Sequence, residues 1–202
     1  MFVTIDGPSG IGKSTLTQLV SNELERRSLS VIATVTPSKT AIGNLARSGT
    51  FDFSAHALSC LVAADRYYHD KHVVRPALAR GITVVCDRYV PSSLVLDALD
   101  GVDRVLSWNL YQPISSPDLS FILVGDPAIC LERATTRGQY SRFHAQDLAK
   151  ASTEMGMFRE VADWMQAYTP HPVQLFDIGS KTAEQVANDL TKIILVPKED
   201  GR

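Results

Sequence analysis

The chain has 202 residues, 45% of them apolar and 21% charged, with a formal net charge of −2. That length suits a single α/β domain with a substantial core, and the charge balance excludes proteins that hold nucleic acid or an acidic membrane by bulk electrostatics. No apolar run approaches a membrane span and the N-terminus runs straight into a strand, so a cytoplasmic location is expected.

Phe2–Asp6 is the first buried strand, and Gly7-Pro8-Ser9-Gly10-Ile11-Gly12-Lys13-Ser14 follows it directly. This is a G-x-x-x-x-G-K-[ST] sequence in the strand–loop–helix setting its physics needs. The glycines let the backbone wrap an anion, with the loop from Gly7 through Ser9, Gly10, Ile11 and Gly12 to Thr15 turning N–H groups inward. The Lys13 ammonium can bridge the outer phosphates at a helix N-terminus, and the Ser14 hydroxyl is placed to ligate Mg²⁺. The stretch predicts a nucleoside triphosphate site. Leu16, Leu19, Val20 and Leu24 then form one helical stripe.

A second strand, Val31–Thr36, leads into a loop of small residues closed by Arg47, suited to a second phosphate group. From Ser54 to about Arg80 runs a long helical pattern that Pro76 should kink or split. On it, Ala63-Ala64-Asp65-Arg66 combines close approach with the five-donor fork of Arg66. His69 and His72 lie one turn apart, with Asp65 one turn before His69, and a solvated or ion-paired helix face fits them better than a metal site, because no further ligand is in evident reach. The strand Ile82–Asp87 ends in Asp87-Arg88-Tyr89. An acidic residue at that end of a core strand lies beside the phosphate loop, so Asp87 is the candidate for orienting Mg²⁺, with Arg88 over the phosphate path.

Ser120–Gly125 and Val173–Ile178 complete five strands, with helices between them and at Gln146–Tyr168 and around Val186–Ile194. The β-α-β-α order predicts a parallel sheet covered on both faces, an αβα sandwich. One domain spans 1–197, leaving a frayed tail at 198–202. Between the fourth strand and the Gln146 helix, Arg133, Arg137 and Arg142 with Gly138 as a hinge form a lid (about 133–146) able to close over a phosphoryl group. Cys60, Cys86 and Cys130 are odd in number and lack a C-x-x-C, so they read as buried free thiols.

Together these segments resemble the thymidylate kinase family of P-loop nucleoside monophosphate kinases, over about residues 1–195. The matching stretches are Gly7–Thr15, Pro37–Arg47, Ala63–Arg66, Asp87–Ser92, Arg133–Phe143 and Phe176–Ser180. The resemblance implies transfer of a phosphoryl group from Mg·ATP to a (deoxy)nucleoside monophosphate by a homodimeric enzyme. It implies that Lys13 and the loop amides hold the donor phosphates while Ser14 and Asp87 position Mg²⁺. Arg47 and Arg88 would bind the acceptor phosphate, Arg66 the acceptor base edge, and Arg133 would flank adenine. Ser92 falls within the acceptor-side segment. Since position 10 is glycine, Arg137 or Arg142 must reach the transferred group.

Departures from the family pattern gather on the acceptor side. Ser9 stands where a carboxylate is usual, Val62 where an aromatic stacks on the base, and Leu96 and Asp97 where an aromatic and a Gln are usual. Lys39 replaces a glycine. Two acceptors therefore compete. One is dTMP, with its base held by another aromatic such as Phe51, Phe53, Tyr67 or Tyr68. The other is a different nucleotide-like phosphate, whose donors would meet Asp97 and whose anionic group would meet Lys39. A non-catalytic ATP-binding regulator is disfavoured by the presence of Lys13, Ser14, Asp87, Arg88 and the lid arginines.

Overall fold

In the computed structural model, residues 1–136, 138 and 141–196 are described. Five strands, β1 (Phe2–Asp6), β2 (Val31–Val35), β3 (Thr83–Asp87), β4 (Leu119–Val124) and β5 (Val173–Asp177), pair in the order β2-β3-β1-β4-β5, all parallel. Each lies within a residue of its predicted bounds. The central strand β1 and its neighbour β3 are buried along their whole length, as near-continuous apolar runs in a parallel sheet should be.

The sheet separates two cores. On one face Val3, Ile5 and Phe121 pack against Leu16, Val20 and Leu24 of α1 (Lys13–Arg26) and against Val186, Leu190 and Ile194 of α9 (Ala183–Leu195). A capping box between Thr182 and Gln185 starts α9. On the other face Phe2, Val84 and Ile122 meet α5 (Val90–Leu99) and α8 (Leu148–Tyr168) through Leu94, Phe158 and Val161. Asp147 caps α8, its Oδ1 accepting the Lys150 N–H at 2.8 Å.

The predicted 54–80 helix is divided as its proline suggests. α3 (Ala55–His69) passes through a π-helical turn, Asp70–Val74, into the short α4 (Arg75–Ala79). Pro76 sits at the start of α4, directly after the π-helical turn, and lacks the N–H that would bond back into that turn. α2 (Ala41–Ser48) precedes α3, and α6 (Arg104–Tyr111) and α7 (Pro127–Thr136) complete the described helices. Among the described residues no helix is long and apolar enough to cross a membrane. Residues 197–202, which include the predicted tail, lie outside the described set, as does Arg137.

Two expectations need correction. Cys60 is exposed, because it lies on the outer side of α3, while Cys86 and Cys130 are buried thiols as expected. His69 is not on a solvated face. It is 2% exposed with Nε2 2.7 Å from Thr34 Oγ1, because the π-turn and β2 close over it.

Candidate active site

Every strand of the parallel sheet ends on the same side, and the loops leaving β1, β2 and β3 meet there. The loop after β1 runs between α7 and α8. A Cβ on Gly10 would stand 1.9 Å from the Cys130 carbonyl oxygen, and Gly10 has φ +81°, so only glycine lets the loop pass. On the α8 side, the Ser9 N–H donates to Glu154 Oε1 at 3.1 Å. Lys13 is buried, and its Nζ donates to the Pro8 carbonyl at 2.6 Å. Burial and the neighbouring Arg88 pull the Lys13 pKa well below the usual lysine value. Burial likewise pushes Glu154 upward, opposed by Lys13 and Arg88.

The turn after β3 is set by Asp6 at the end of β1. Its Oδ1 accepts from Tyr89 N at 2.8 Å, Ser92 N at 3.0 Å and Ser92 Oγ at 2.6 Å, capping the start of α5. This holds Arg88 at φ +68°, a conformation that turns its side chain out of the strand direction. Asp87 is 6% exposed, and its Oδ2 accepts the Ser14 hydroxyl proton. Its Oδ1 is buried with no protein partner. An oxygen pair of this kind, one lone-pair set uncommitted beside a hydroxyl on the phosphate loop, fits an Mg²⁺ ion held through Ser14 and an Asp87-bound water.

A cleft of about 220 Å³ joins these parts. Ser9, Gly10, Gly12, Lys13 and Ser14 form one end, Asp87 and Arg88 its flank, and Arg47, Val62 and Leu96 its far wall. Arg47 donates through Nη2 to the carbonyls of Pro37 and, at 3.3 Å, Ser38. Ser9, Gly10, Gly12, Lys13 and Ser14 of the predicted donor side and Arg47, Val62, Arg88, Leu96 and Asp97 of the predicted acceptor side thus share one cavity. Gly7 and Ile11 lie on the same loop behind this surface, and Thr15 is exposed on α1.

Several candidates take other positions. Arg66 is 2% exposed, one layer behind the wall. Its Nε and Nη2 donate to Ser93 Oγ at 3.0 and 2.8 Å, Nη1 donates to Thr36 Oγ1, and the guanidinium lies 5.4 and 5.7 Å from the Tyr89 and Tyr111 rings. Ser92 is turned onto Asp6 and away from the cleft. Asp97 lines the cleft, but its carboxylate is committed to Ser59 Oγ at 2.7 Å, Ser107 Oγ, and Tyr111 OH at 3.2 Å, and burial raises its pKa. Lys39 is exposed and lines a neighbouring cavity of about 570 Å³ between α1, β2 and α3. Arg142 forms an ion pair with Asp100 and lies 4.7 Å over the Phe143 ring, and Arg133 is exposed in the last turn of α7.

None of Phe51, Phe53, Tyr67 and Tyr68 lines the cleft: all four are exposed, Tyr67 donates to the Leu110 carbonyl, and Tyr68 lines the neighbouring cavity beside Lys39. Its aromatic lining comes from Phe143 and His144 on the lid. Sequence reading missed Phe143 as a base-side group, and missed Asp6 and Glu154. Glu154 does carry a signal: it sits on the buried stripe Ala151, Glu154, Met155, Phe158, a carboxylate where α8 otherwise presents apolar groups.

A five-stranded parallel sheet with a G-x-x-x-x-G-K-S loop after β1, Asp87 bonded to Ser14 beside that loop, and Arg47 and Arg88 on the same cleft has the layout of a P-loop nucleotide kinase. The thymidylate kinase family model matches residues 5–177. A thymidylate kinase of Deinococcus radiodurans is 38% identical over 161 residues, covering 73% of this chain and 76% of the relative. One from Exiguobacterium is 32% identical over 158 residues, 74% of each chain. A probable thymidylate kinase of Pyrobaculum aerophilum is 31% identical over 198 residues, covering 96% of this chain and 95% of its own. The crystal structure of thymidylate kinase from Ehrlichia chaffeensis superposes with a TM-score of 0.73 at 20% identity, over 97% of this chain and 98% of the other, which agrees with the fold. The chain belongs to the thymidylate kinase family.

Proposed function

We propose that this enzyme transfers the γ-phosphoryl group of ATP to dTMP, giving dTDP and ADP. The observation that carries this is the single cleft joining Lys13 and Ser14 to Arg47, Arg88 and Val62, in a chain of this family. The loop amides and Lys13 hold the donor phosphates. Arg47 and Arg88 clamp the acceptor phosphate, whose own oxygen is the nucleophile, so no strong base is needed. Catalysis is alignment and charge neutralisation in a site from which water is excluded. Mg²⁺, when bound at Ser14 and Asp87, would neutralise charge on the donor phosphates. Arg133, Arg137 and Arg142 are the lid's cations, with Arg142 leaving Asp100 to serve the transferred group.

The reading of a different acceptor drew on Asp97 and Lys39. Asp97 already has three hydroxyl donors, and Lys39 faces the neighbouring cavity, so neither supports it. Phe143 supplies an aromatic surface for the thymine in place of the aromatic absent at Val62.

We further assign the enzyme to the cytoplasm as a homodimer. Supporting the dimer, Leu45, Phe51, Tyr67, Tyr68, Val105 and Leu106 expose apolar surface on α2, the turn after it, α3 and α6. The test of function is product identity: Mg·ATP and dTMP should yield dTDP and ADP in equal amounts by ion-exchange chromatography. ADP without dTDP would reject the assignment.

A further inference from the structure

Asp65 on α3 is fully buried, and it lines neither cavity. Both of its oxygens are nonetheless committed to one short stretch of chain. Oδ2 accepts the Ser38 N–H at 2.7 Å. Oδ1 accepts the Ser38 hydroxyl and, at 3.4 Å, the Thr40 hydroxyl. A carboxylate that accepts a backbone N–H and two hydroxyls fixes a loop more firmly than neutral side chains do, because each bond is charge-assisted.

That stretch holds Arg47 from two directions. The carbonyls of Pro37 and Ser38 receive the Arg47 guanidinium. Thr40 caps α2, its Oγ1 accepting the Gly43 N–H at 3.3 Å, and Arg47 lies in the last turn of that helix. Gly43 seats α2 directly on the same centre: a Cβ there would stand 2.1 Å from the Ser38 carbonyl oxygen and 2.6 Å from Asp65 Oδ1. The loop that catches the guanidinium and the helix that carries it therefore share one anchor. The adjacent Arg66 bonds Thr36 at the start of the same loop, so α3 grips both ends of it.

We propose that Asp65 is a positioning residue for the acceptor phosphate, acting through the 38–40 loop to fix the Arg47 guanidinium. This rests on the reading of Arg47 as an acceptor-phosphate ligand. It assigns Asp65 to one substrate only, since none of its bonds reaches the phosphate loop after β1.

The test is steady-state kinetics on Asp65→Asn, Arg47→Ala and the double variant, with dTMP and ATP varied separately. Asn has the shape of Asp but turns an NH₂ toward donors, leaving one of them unpaired. Asp65→Asn is expected to raise the KM for dTMP about ten-fold and to leave the KM for ATP within about two-fold. In the Arg47→Ala background the same change should add almost nothing, because its effect passes through Arg47. Equal changes in both KM values, or a full additional loss in the double variant, would overturn the proposal. Should Asp65→Asn fail to fold, Ser38→Ala removes the hydroxyl bond alone, and it should raise the dTMP KM about three-fold with the same silence behind Arg47→Ala. Arg47→Ala with an unchanged dTMP KM would remove the underlying reading, and the proposal with it. A raised KM there with Asp65→Asn and Ser38→Ala silent would remove the proposal alone.

Discussion

Replacing Gly10 with alanine tests how tightly the phosphate loop is held. The added Cβ would stand 1.9 Å from the Cys130 carbonyl oxygen and 2.7 Å from its carbon, so the loop or α7 must retreat by about 1 Å to reach the closest tolerated contact. The left-handed backbone at φ +81° adds about 1–2 kcal/mol for any residue with a Cβ. Overpacking adds about 1–3 kcal/mol. Together these amount to roughly 2–5 kcal/mol, a fall in melting temperature of roughly 4–20 °C for a chain of this size. Gly101→Ala is the internal control. It has nearly the same φ, +80°, with nothing within 4 Å of the added carbon, so it should lose only about 1–2 kcal/mol. Catalysis should separate the two further. A displacement of about 1 Å under the donor phosphates should lower kcat/KM for ATP about 100-fold in Gly10→Ala, and Gly101→Ala should match the wild type. The assay is a coupled ADP-release measurement beside a thermal melt. Equal melting shifts and equal rates in the two variants would refute the packing of the loop against α7.

Other outcomes follow from the same geometry. Lys13→Ala should retain the fold and lose about 1000-fold or more in kcat, measured by single-turnover ADP formation; a near-normal rate would remove Lys13 from the donor site. Glu154→Gln keeps an acceptor for the Ser9 N–H but removes a negative charge beside Lys13 and Arg88, so affinity for ATP by calorimetry should change while the melting temperature moves little. His69 and His171 are 2% and 4% exposed, and burial holds both near pKa about 4 instead of 6.5. The unfolded chain therefore binds more protons between those values, and stability present above pH 6.5 is lost as pH falls toward 4. Between pH 7.5 and 5 the loss is about 2 kcal/mol for each histidine, read from urea midpoints. The stability gap between wild type and His171→Gln should narrow over that range, and a constant gap would contradict the assignment.

The strands were legible because a parallel strand reads as a short apolar, β-branched run bounded by turn residues. The strand–loop–helix setting of Gly7–Ser14 and the place of Asp87 at the end of β3 were legible because local sequence patterns carry both. Glu154 and Phe143 were not, since they lie far along the chain from the loop and cleft wall they meet, and only the packing of α8 and the lid delivers them. Asp97 lines the cleft with its carboxylate already bonded, and Ser92, next to the cleft-lining Ser93, is turned onto Asp6. Sequence position located the helix face but not the hydroxyls of Ser59, Ser107 and Tyr111, nor the carboxylate of Asp6, that turn these side chains inward. Lys39 shows the same limit: Thr36 and Pro37 line the cleft, but from Ser38 to Thr40 the loop lines the neighbouring cavity.

The central claim is that one cleft brings Mg·ATP and dTMP together for direct transfer. Its most direct measurement is kcat/KM with Mg·ATP across a panel of deoxy- and ribonucleoside monophosphates, followed by ADP release. dTMP should be turned over well ahead of every other acceptor. Another monophosphate ahead of dTMP, or no turnover of dTMP by protein that still binds ATP, would contradict it.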